Sequence, residues 1–502
     1  MNVKGFCEVF KANKDKKAFQ EEGRSITFCE FDALTDTTAA LLIKKGAVPG
    51  DIIPASLPHN IEAFVYMFGC IKAGVAFCFM DEGAPEENLN HIMKDTNAKF
   101  MVDMHFFEEL SLFQNFSPFG GEGNKVNSSP LGGEVGWGGI DGTLPAAVYY
   151  TSGSTRNSRG VVISRNSLFA VNAGWLNTAF AKGDDLWLTN GMNTFASNLN
   201  IVFVALAQGA TQHVQTAEMR ANRDILCSYI KEHHISAMSM LPSRAKDFLK
   251  HGGDGLLRIL IIVGEPSVNI YSEKTMIYNY YGATETAAVG TMFKIDKPYP
   301  HGTPMGRPMP GSDMRLLDDG EIIVSGPIAD GYLHEEKLTR ERFIQYEGKT
   351  FFRSGDIGSC EDGIFYFIRR KDQQIKIKGH LLEPSDVENA LAQFAGVNEA
   401  VVKGWTDEDS NVVLYAVITA DTQLKEQDIH TALSGKIPDY MIPSRIFQLD
   451  KLPLNRNGKI DRRGLQFGTA PNNLPGGERW QGSIDRRKRN DKMAEAIFKS
   501  GL

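Results

Sequence analysis

The segment Thr151-Ser-Gly-Ser-Thr-Arg-Asn-Ser-Arg-Gly160 directly follows the apolar run Ala146-Ala-Val-Tyr-Tyr150. The apolar run is typical of a buried β-strand, and the segment after it combines hydroxyl side chains, glycines and arginines. Small residues let a backbone approach a phosphate closely, hydroxyl and N–H groups donate to its oxygens, and arginines neutralise its charge. A strand that ends in such a loop indicates a nucleotide triphosphate site, while a plain connector is the alternative.

Length and composition indicate a globular protein of more than one domain. A chain of 502 residues is too long for one ordinary core. A net charge of −7 offers no basic surface for nucleic acid, and no apolar run is long enough to cross a membrane. The amino terminus lacks the apolar core of a signal peptide, so we expect a cytoplasmic protein. The six cysteines are scattered without a Cys-x-x-Cys pair, which favours reduced thiols over disulfides or structural zinc.

Strand-like and helix-like segments alternate through most of residues 1–350. This alternation predicts an α/β fold with largely parallel sheets. The clearest segments are strands at Ile52–Leu57, Val75–Met80 and Arg258–Val263 and helices at Ile61–Lys72 and Arg223–His233.

Two segments depart from this pattern. Residues 117–143 are rich in glycine, which favours a flexible surface insertion. The tail at 468–502 is polar and contains the basic run Arg486–Arg489, and we expect a solvated, poorly ordered end rather than a nucleic-acid or membrane site.

Four further motifs follow the hydroxyl-rich loop: Tyr280-Tyr-Gly-Ala-Thr-Glu285, Phe352-Arg-Ser-Gly-Asp356, Arg370-Lys-Asp-Gln-Gln-Ile-Lys-Ile-Lys-Gly379 and Leu452-Pro-Leu-Asn-Arg-Asn-Gly-Lys459. In this order and at these spacings, the motifs resemble the core motifs of the acyl-adenylate-forming (AMP-binding) superfamily. The similarity is greatest to stand-alone adenylation domains and acid:carrier-protein ligases. It implies a large N-terminal domain of sheets flanked by helices (1–371) and a small, mobile α+β domain (372–467).

The resemblance implies a ligase reaction in two steps, with ATP and Mg²⁺ as cofactors. A carboxylate attacks the α-phosphate of ATP and releases pyrophosphate, and a thiol then takes the acyl group from the adenylate. Because the first step gathers negative charge, positioned cations and Mg²⁺ carry most of its catalysis. The implied catalytic residues are Lys459, Thr284, Glu285 and Arg159. The implied nucleotide-binding residues are Thr151, Ser152, Gly153, Ser154, Thr155, Tyr281, Gly282, Asp356 and Arg370.

Each motif would have a task in that reaction. The hydroxyl-rich loop would hold the β- and γ-phosphates, and Thr284 would contact the α-phosphate. Glu285 would hold Mg²⁺, and Tyr281 would stack on adenine. Asp356 would accept both ribose hydroxyls, and Lys459 would bridge the substrate carboxylate and the ribose or α-phosphate region.

The motif at residues 370–379 implies a hinge between the two domains. Arg370 would also reach the ribose, and Asp372 matches the family's hinge position. A few residues that absorb large φ/ψ changes suffice for such a rotation. Lys376 and Gly379 would then lie on the face presented to the thiol.

The phosphate loop departs from the family pattern Thr-Ser-Gly-Ser-Thr-Gly-x-Pro-Lys-Gly. Arg159 replaces the lysine and keeps its charge, and Ser158 replaces the proline. Arg156 replaces a glycine, which is strained there if that position needs φ > 0. Two alternatives follow: ordinary activity with added charge near the γ-phosphate, or a catalytically weak binding or scaffold protein.

The acid pocket is the second departure. Amino-acid-activating relatives carry an Asp that pairs with the substrate ammonium, and Ala196 stands at that position here. A buried ammonium without a counter-charge is costly, so ordinary α-amino acids are disfavoured. We expect a short or medium carboxylic, hydroxy or aryl acid, because Tyr280 would narrow the tunnel that long chains need. The aligned pocket positions are Ala196, Asn200, Met240, Ile261, Val263, Tyr280, Ala288 and Val289.

The sequence leaves two candidate thiols as acceptor of the acyl group. The segments around Gln374–His380 and Leu452–Lys459 resemble carrier-loading domains more than acyl-CoA synthetases. A phosphopantetheinylated carrier protein is therefore the expected partner, and coenzyme A with a short-chain, medium-chain or aryl acid is the alternative.

Overall fold

The computed structural model describes residues 3–80, 86–114, 140–151, 159–176, 182–189, 193–194, 196–267, 269–300, 302–371, 375–377, 380–382, 384–406, 412–434, 436–454, 459–462 and 465. The chain divides into two compact units, Met1–Ile368 and Arg369–Leu502. Most of the expected glycine-rich insertion and the whole tail at 468–502 lie outside the described residues. The expected domain limits at 371 and 467 stay predictions.

The described elements alternate as the sequence predicts, and the mixed α/β fold class is confirmed. The helices are α1 (Val3–Ala12), α2 (Phe28–Lys44), α3 (Ile61–Ala73), α4 (Glu86–Asp95), α5 (Met104–Gln114), α6 (Arg165–Leu176), α7 (Ala196–Ala207), α8 (Ala217–Ala221), α9 (Arg223–Glu232), α10 (Pro242–Phe248), α11 (Glu336–Arg342), α12 (Pro384–Ala392) and α13 (Glu426–Leu433). The strands are β1 (Lys17–Glu21), β2 (Arg24–Thr27), β3 (Ile52–Ala55), β4 (Ala76–Phe79), β5 (Pro145–Thr151), β6 (Arg159–Ser164), β7 (Leu186–Leu188), β8 (Thr211–His213), β9 (Ala237–Met240), β10 (Ile259–Val263), β11 (Met276–Gly282), β12 (Gly290–Ile295), β13 (Arg307–Pro308), β14 (Asp313–Leu316), β15 (Glu321–Ser325), β16 (Gly331–Tyr332), β17 (Phe343–Tyr346), β18 (Lys349–Glu361), β19 (Ile364–Arg370), β20 (Ile375–Ile377), β21 (His380–Leu382), β22 (Val397–Thr406), β23 (Val412–Ala420) and β24 (Arg445–Leu449).

Helix α3 shows how the local sequence sets these limits. Asn60 caps its amino terminus by accepting from the backbone N–H of Ala63, and Gly74 ends it in the left-handed conformation at φ 78°. The helix is buried along nearly its whole length, as its apolar sequence predicts. The expected helix is thereby confirmed, and the strand that follows it is β4.

The largest sheet of the first unit has the order β13-β12-β11-β10-β9-β7-β8-β1-β2 over the described residues. The strands from β1 and β8 through to β11 are parallel to one another, and the outer pairs are antiparallel. Alternate residues of β10 enter different hydrophobic clusters: Ile259, Ile261 and Val263 enter the main one, while Leu260 and Ile262 enter a second. The sheet is therefore buried on both faces, as parallel sheets require.

Two smaller sheets complete this unit. One has the order β16-β6-β5-β4-β3, with β3, β4 and β5 parallel and the rest antiparallel. The other is antiparallel, with the order β14-β15-β18-β17 and β19 paired to β18. The expectation of largely parallel sheets thus holds for the main sheet and not for this last one.

The second unit has its own small core. Strands β22, β23 and β24 form one sheet, and β20 pairs with β21. Helices α12 and α13 contribute Val387, Leu391, Ile429 and Leu433 to a cluster with the sheet residues Val402 and Ala416. Among the described residues of the whole chain, no helix is long and apolar enough to span a membrane.

Candidate active site

The phosphate loop connects two antiparallel strands. Strand β5 ends at Thr151, β6 begins at Arg159, and the two residues lie directly opposite each other in the register. The strand predicted before the loop is therefore confirmed. The loop itself, with Ser152, Gly153, Ser154, Thr155 and Arg156, lies outside the described residues, and its phosphate role stays a prediction.

Glu285 lies beside the end of this hairpin. It occupies a 3-10 turn, Thr284–Thr286, that directly follows β11. Its Oε1 accepts a hydrogen bond of 2.9 Å from the Tyr332 hydroxyl. Tyr332 in turn pairs with Val161 of β6, and the N–H of Leu333 donates to the Gly160 carbonyl. Strand β16 thereby brings the Glu285 carboxylate next to the last residue of the phosphate loop.

Tyr332 remains a hydrogen-bond donor at physiological pH. Burial and the negative charge of Glu285 raise the pKa of the Tyr332 hydroxyl above its usual range. The protonated hydroxyl therefore holds one oxygen of Glu285. Sequence reasoning missed Tyr332, because only the pairing of β16 with β6 brings it to the site.

Tyr281 and Asp356 meet at the end of β11. The Tyr281 hydroxyl donates to Oδ2 of Asp356 over 2.6 Å, although the two residues come from different sheets. Asp356 is buried, and its backbone N–H donates to the Ser354 hydroxyl at 3.0 Å. The structure thus brings together the two residues predicted to contact adenine and ribose.

A buried carboxylate that the sequence did not single out braces this segment. Glu321 on β15 accepts from the guanidinium of Arg353 at 2.5 Å and from the backbone N–H of Gly355 at 3.2 Å. Its side chain is only 2% exposed. Gly355 has φ 74° and lies where the pairing of β18 with β15 shifts register, just before Asp356. Glu321 therefore fixes the backbone that presents Asp356.

Several residues of the predicted acid pocket lie on one face of the main sheet, and their role as a pocket stays a prediction. Ile261, Val263 and Tyr280 share this face, and Ala196, at the first turn of α7, joins the same hydrophobic cluster. The ring of Tyr280 packs against Trp175, with the ring centres 4.6 Å apart.

Met240 is not brought into this group. It packs in the second cluster, on the opposite face of the sheet. The strand register pairs Ile261 with Ser239, and Met240 with Ile262. Because neighbouring residues of a strand point to opposite faces, Ser239 occupies the position that the sequence alignment gave to Met240.

Asn200 supports the pocket wall rather than presenting its amide. Its Nδ2 lies 3.2 Å from the carbonyl oxygen of Ala287 and 3.3 Å from that of Ala288. Both alanines have left-handed backbone, with φ 51° and 57°. Asn200 thereby ties α7 to the loop that contains the predicted pocket residues Ala288 and Val289.

Near the start of α7, one histidine, one asparagine and one threonine form a cluster that the sequence did not predict. His59 contacts Oδ1 of Asn193 at 2.6 Å and the Thr189 hydroxyl at 2.8 Å. Burial lowers the pKa of His59 to about 4, so the ring is neutral at physiological pH. Thr189 also accepts from the backbone N–H of Gln215, which locks the cluster to the sheet end.

The five predicted residues that remain all belong to the second unit. Arg370 ends β19, and Lys459 directly precedes Ile460, which forms an isolated bridge with Leu454. Lys376 lies on β20. The hinge residue Asp372 and the acceptor-face residue Gly379 lie outside the described residues. The roles of all five stay predictions.

Residues 6–333 match the model of the AMP-binding enzyme family, and residues 386–459 match that of the AMP-binding enzyme C-terminal domain. The chain belongs to the AMP-binding enzyme family, which confirms the resemblance seen in the sequence.

Two curated relatives are large synthetases. Bacitracin synthase 1 of Bacillus licheniformis is 30% identical over 488 residues, covering 92% of this chain and 9% of the relative. Gramicidin S synthase 2 of Brevibacillus brevis is 25% identical over 502 residues, covering 93% and 11%. The chain thus spans about a tenth of the length of these relatives.

Solved structures share the fold at lower identity. Klebsiella oxytoca NpsA, in complex with 3-hydroxyanthranilyl-AMSN, superposes with a TM-score of 0.74 at 21% identity, covering 92% of this chain and 97% of that one. ATP-bound MatB from Rhodopseudomonas palustris gives 0.77 at 20% identity, covering 93% and 98%. A four-domain nonribosomal peptide synthetase bound to AMP and glycine gives 0.78 at 21%, covering 97% and 37%.

Proposed function

We propose that this protein is an ATP-dependent acid:thiol ligase that works through an acyl-adenylate. The observation that carries the proposal is the convergence of three predicted nucleotide contacts in one unit. The hairpin of β5 and β6, which contains the predicted phosphate loop, is connected to Glu285 through Tyr332 of β16. The hydroxyl of Tyr281 donates to Asp356 at the end of β11, the strand that precedes Glu285. A site at the carboxyl ends of parallel strands is the usual place for ligands in α/β sheets.

In the first half-reaction, a carboxylate oxygen of the acid forms a bond to the α-phosphorus of ATP. The bond from that phosphorus to the bridging oxygen breaks, and pyrophosphate leaves with the electron pair. Arg159 and the loop hydroxyls would stabilise the leaving pyrophosphate, and Lys459 would stabilise charge at the attacked phosphate. Tyr281 and Asp356 would hold the nucleoside, so that the reacting atoms stay aligned.

The residues around Glu285 fit a magnesium ion bound together with ATP. Mg²⁺ is commonly held by one or two carboxylates plus substrate phosphates, and Glu285 supplies one carboxylate beside the phosphate hairpin. When bound there, Mg²⁺ would neutralise phosphate charge. Tyr332 would orient the carboxylate that holds it.

In the second half-reaction, a thiol sulfur attacks the acyl carbon and AMP leaves, so a thioester replaces the mixed anhydride. The resemblance of the segments Gln374–His380 and Leu452–Lys459 to carrier-loading domains supports a phosphopantetheine thiol on a carrier protein as the acceptor. AMP release measured with a phosphopantetheinylated carrier and with coenzyme A separates this acceptor from the alternative.

Acid-dependent exchange of pyrophosphate into ATP tests the first half-reaction directly. We expect exchange with a subset of carboxylic acids in the wild type. Lys459→Ala should abolish it while sparing transfer from a chemically prepared acyl-adenylate. Equal loss of both half-reactions would contradict the role given to Lys459. Background exchange with every acid, together with intact ATP binding, would favour a scaffold protein of this fold.

A further inference from the structure

Ser239 carries a buried hydrogen-bonding group in the acid pocket. The residue is 2% exposed, and its hydroxyl has no hydrogen-bond partner among the residues that the structure describes. The register places it beside Ile261, which pairs in turn with Tyr278 of β11. Ser239 therefore lies on the same face of the sheet as Ile261 and Val263 of the predicted acid pocket.

Two other polar side chains belong to the predicted pocket. The hydroxyl of Tyr280, whose ring packs against Trp175, also has no hydrogen-bond partner among the described residues, whereas the amide of Asn200 is already used by the protein. The amide nitrogen of Asn200 donates to the carbonyls of Ala287 and Ala288. The side chains of Ile261, Val263 and Ala288 offer no hydrogen bond. Leaving a buried hydroxyl unpaired costs free energy, so a protein that keeps one in a ligand pocket has a use for it when the ligand is bound.

Gln212 is another buried polar side chain on this face of the sheet, and its place along the strands can be compared with that of Ser239. Gln212 is fully buried, and within the described part of the chain neither its amide nitrogen nor its amide oxygen has a hydrogen-bond partner. It lies on the same face of the sheet as Ser239, two strands away and two residues closer to the amino-terminal ends of the strands. This offset corresponds to a Cα separation of about 12 Å. The nucleotide residue Tyr281 lies toward the opposite, carboxyl end of the strands. Ser239 is thus the nearer of the two to the reacting end.

The structure assigns to Ser239 the recognition of a neutral hydrogen-bonding group on the acid, remote from its carboxylate. This inference rests on the proposed function, because it presumes that the pocket takes an acid. The substrate class is then a hydroxy acid, or an aryl acid with a hydroxyl, amine or amide substituent. A charged substituent is excluded, since Ala196 and the apolar lining provide no counter-charge.

The discrimination follows from ordinary hydrogen-bond energetics. A matched pair of acids that differ only by the hydroxyl differ by one buried hydrogen bond, which corresponds to about tenfold in affinity. A pocket that leaves its own hydroxyl unpaired with the wrong acid rejects that acid more strongly than an apolar pocket does.

The test compares matched acids on wild type and Ser239→Ala. The probes are benzoate against 3- and 4-hydroxybenzoate, and hexanoate against 6-hydroxyhexanoate, measured by calorimetric binding and by pyrophosphate exchange. We expect wild type to bind at least one hydroxylated acid about tenfold more tightly than its parent, and Ser239→Ala to lose that preference. Ser236→Ala is the matched control, since Ser236 directly precedes the same strand, β9, and its hydroxyl donates to Asp185.

The melting temperature shows whether Ser239 has a structural role, because loss of a stabilising hydroxyl would lower it. Removing a hydroxyl without a protein partner should leave the melting temperature of the ligand-free protein unchanged or raise it, whereas Ser236→Ala should lower it. No preference between matched acids in wild type, or an unchanged preference in Ser239→Ala, overturns the inference. Preserved binding preference without any exchange would instead refute the ligase function and leave the inference standing.

Discussion

Replacement of Glu321 by glutamine tests whether the brace behind Asp356 matters for nucleotide binding. Glutamine keeps an oxygen that can accept from the N–H of Gly355, but it removes the charge that faces Arg353. The contact with Arg353 is 2.5 Å long, with the Glu321 side chain 2% exposed and the Arg353 side chain 35% exposed. The perturbation therefore breaks a mostly buried ion pair without changing the size of the side chain.

The magnitude follows from this exposure. Removing one partner of a fully buried pair costs about 3–5 kcal/mol. Arg353 is about one third exposed and can regain water, so we expect a loss below that range, about 2–3 kcal/mol. Part of this loss should appear as displacement of Asp356, because Arg353 no longer holds in place the side chain at position 321 that accepts from the N–H of Gly355. We therefore expect AMP affinity to fall about tenfold, which is about 1.4 kcal/mol.

The assay combines thermal unfolding with calorimetric titration of AMP. Glu361→Gln is the control, because Glu361 is an exposed carboxylate at the end of the same strand, β18. Combined replacement of Glu321 by leucine and Arg353 by methionine should recover much of the stability, since no buried charge remains. Wild-type AMP affinity and wild-type melting temperature in Glu321→Gln would refute the bracing role.

Three further predictions follow from contacts in the first unit. Tyr332→Phe removes a hydrogen bond to Glu285, so the Mg²⁺ concentration for half-maximal exchange should rise about tenfold, and an unchanged Mg²⁺ dependence would contradict the orienting role. Asn200→Leu leaves the carbonyls of Ala287–Ala288 unpaired and should lower the free energy of unfolding by about 1–3 kcal/mol, which denaturant titration measures. Burial lowers the pKa of His213 to about 4, below its unfolded value of about 6.5, so the unfolded state binds more protons and stability falls by about 3 kcal/mol from pH 6.5 to 4. His213→Asn should flatten this decline in unfolding measured at several pH values, and parallel curves for variant and wild type would argue against it.

The sequence predicted those parts of the site in which residue type alone decides the chemistry. The motifs at Tyr281 and Asp356 are far apart in the chain, yet each contains a side chain whose chemistry suits one part of a nucleotide. The glycine at position 74 marked the end of α3 because a left-handed cap favours that residue. Such signals depend on a few neighbouring residues and can be read from the sequence alone.

The residues that the sequence missed act through contacts between distant strands. In the sequence, Glu321 is not distinguished from an ordinary surface acid, and only the pairing of β15 with β18 brings it to Arg353 and Gly355. Tyr332 contacts Glu285 only because β16 pairs with β6. The choice between Ser239 and Met240 depends on strand register, in which a shift of one residue exchanges the two faces. No local pattern in the chain contains that information.

The left-handed backbone at Ala287 and Ala288 limits how the acid preference of this enzyme can be redesigned. A β-branched or bulky residue at either position would be strained by about 1–2 kcal/mol before it touched any substrate. Ile261 and Val263 lie on a regular strand, where side chains can be exchanged without that cost. A mutant library aimed at new acids should therefore vary Ser239, Ile261 and Val263 and leave the two alanines in place.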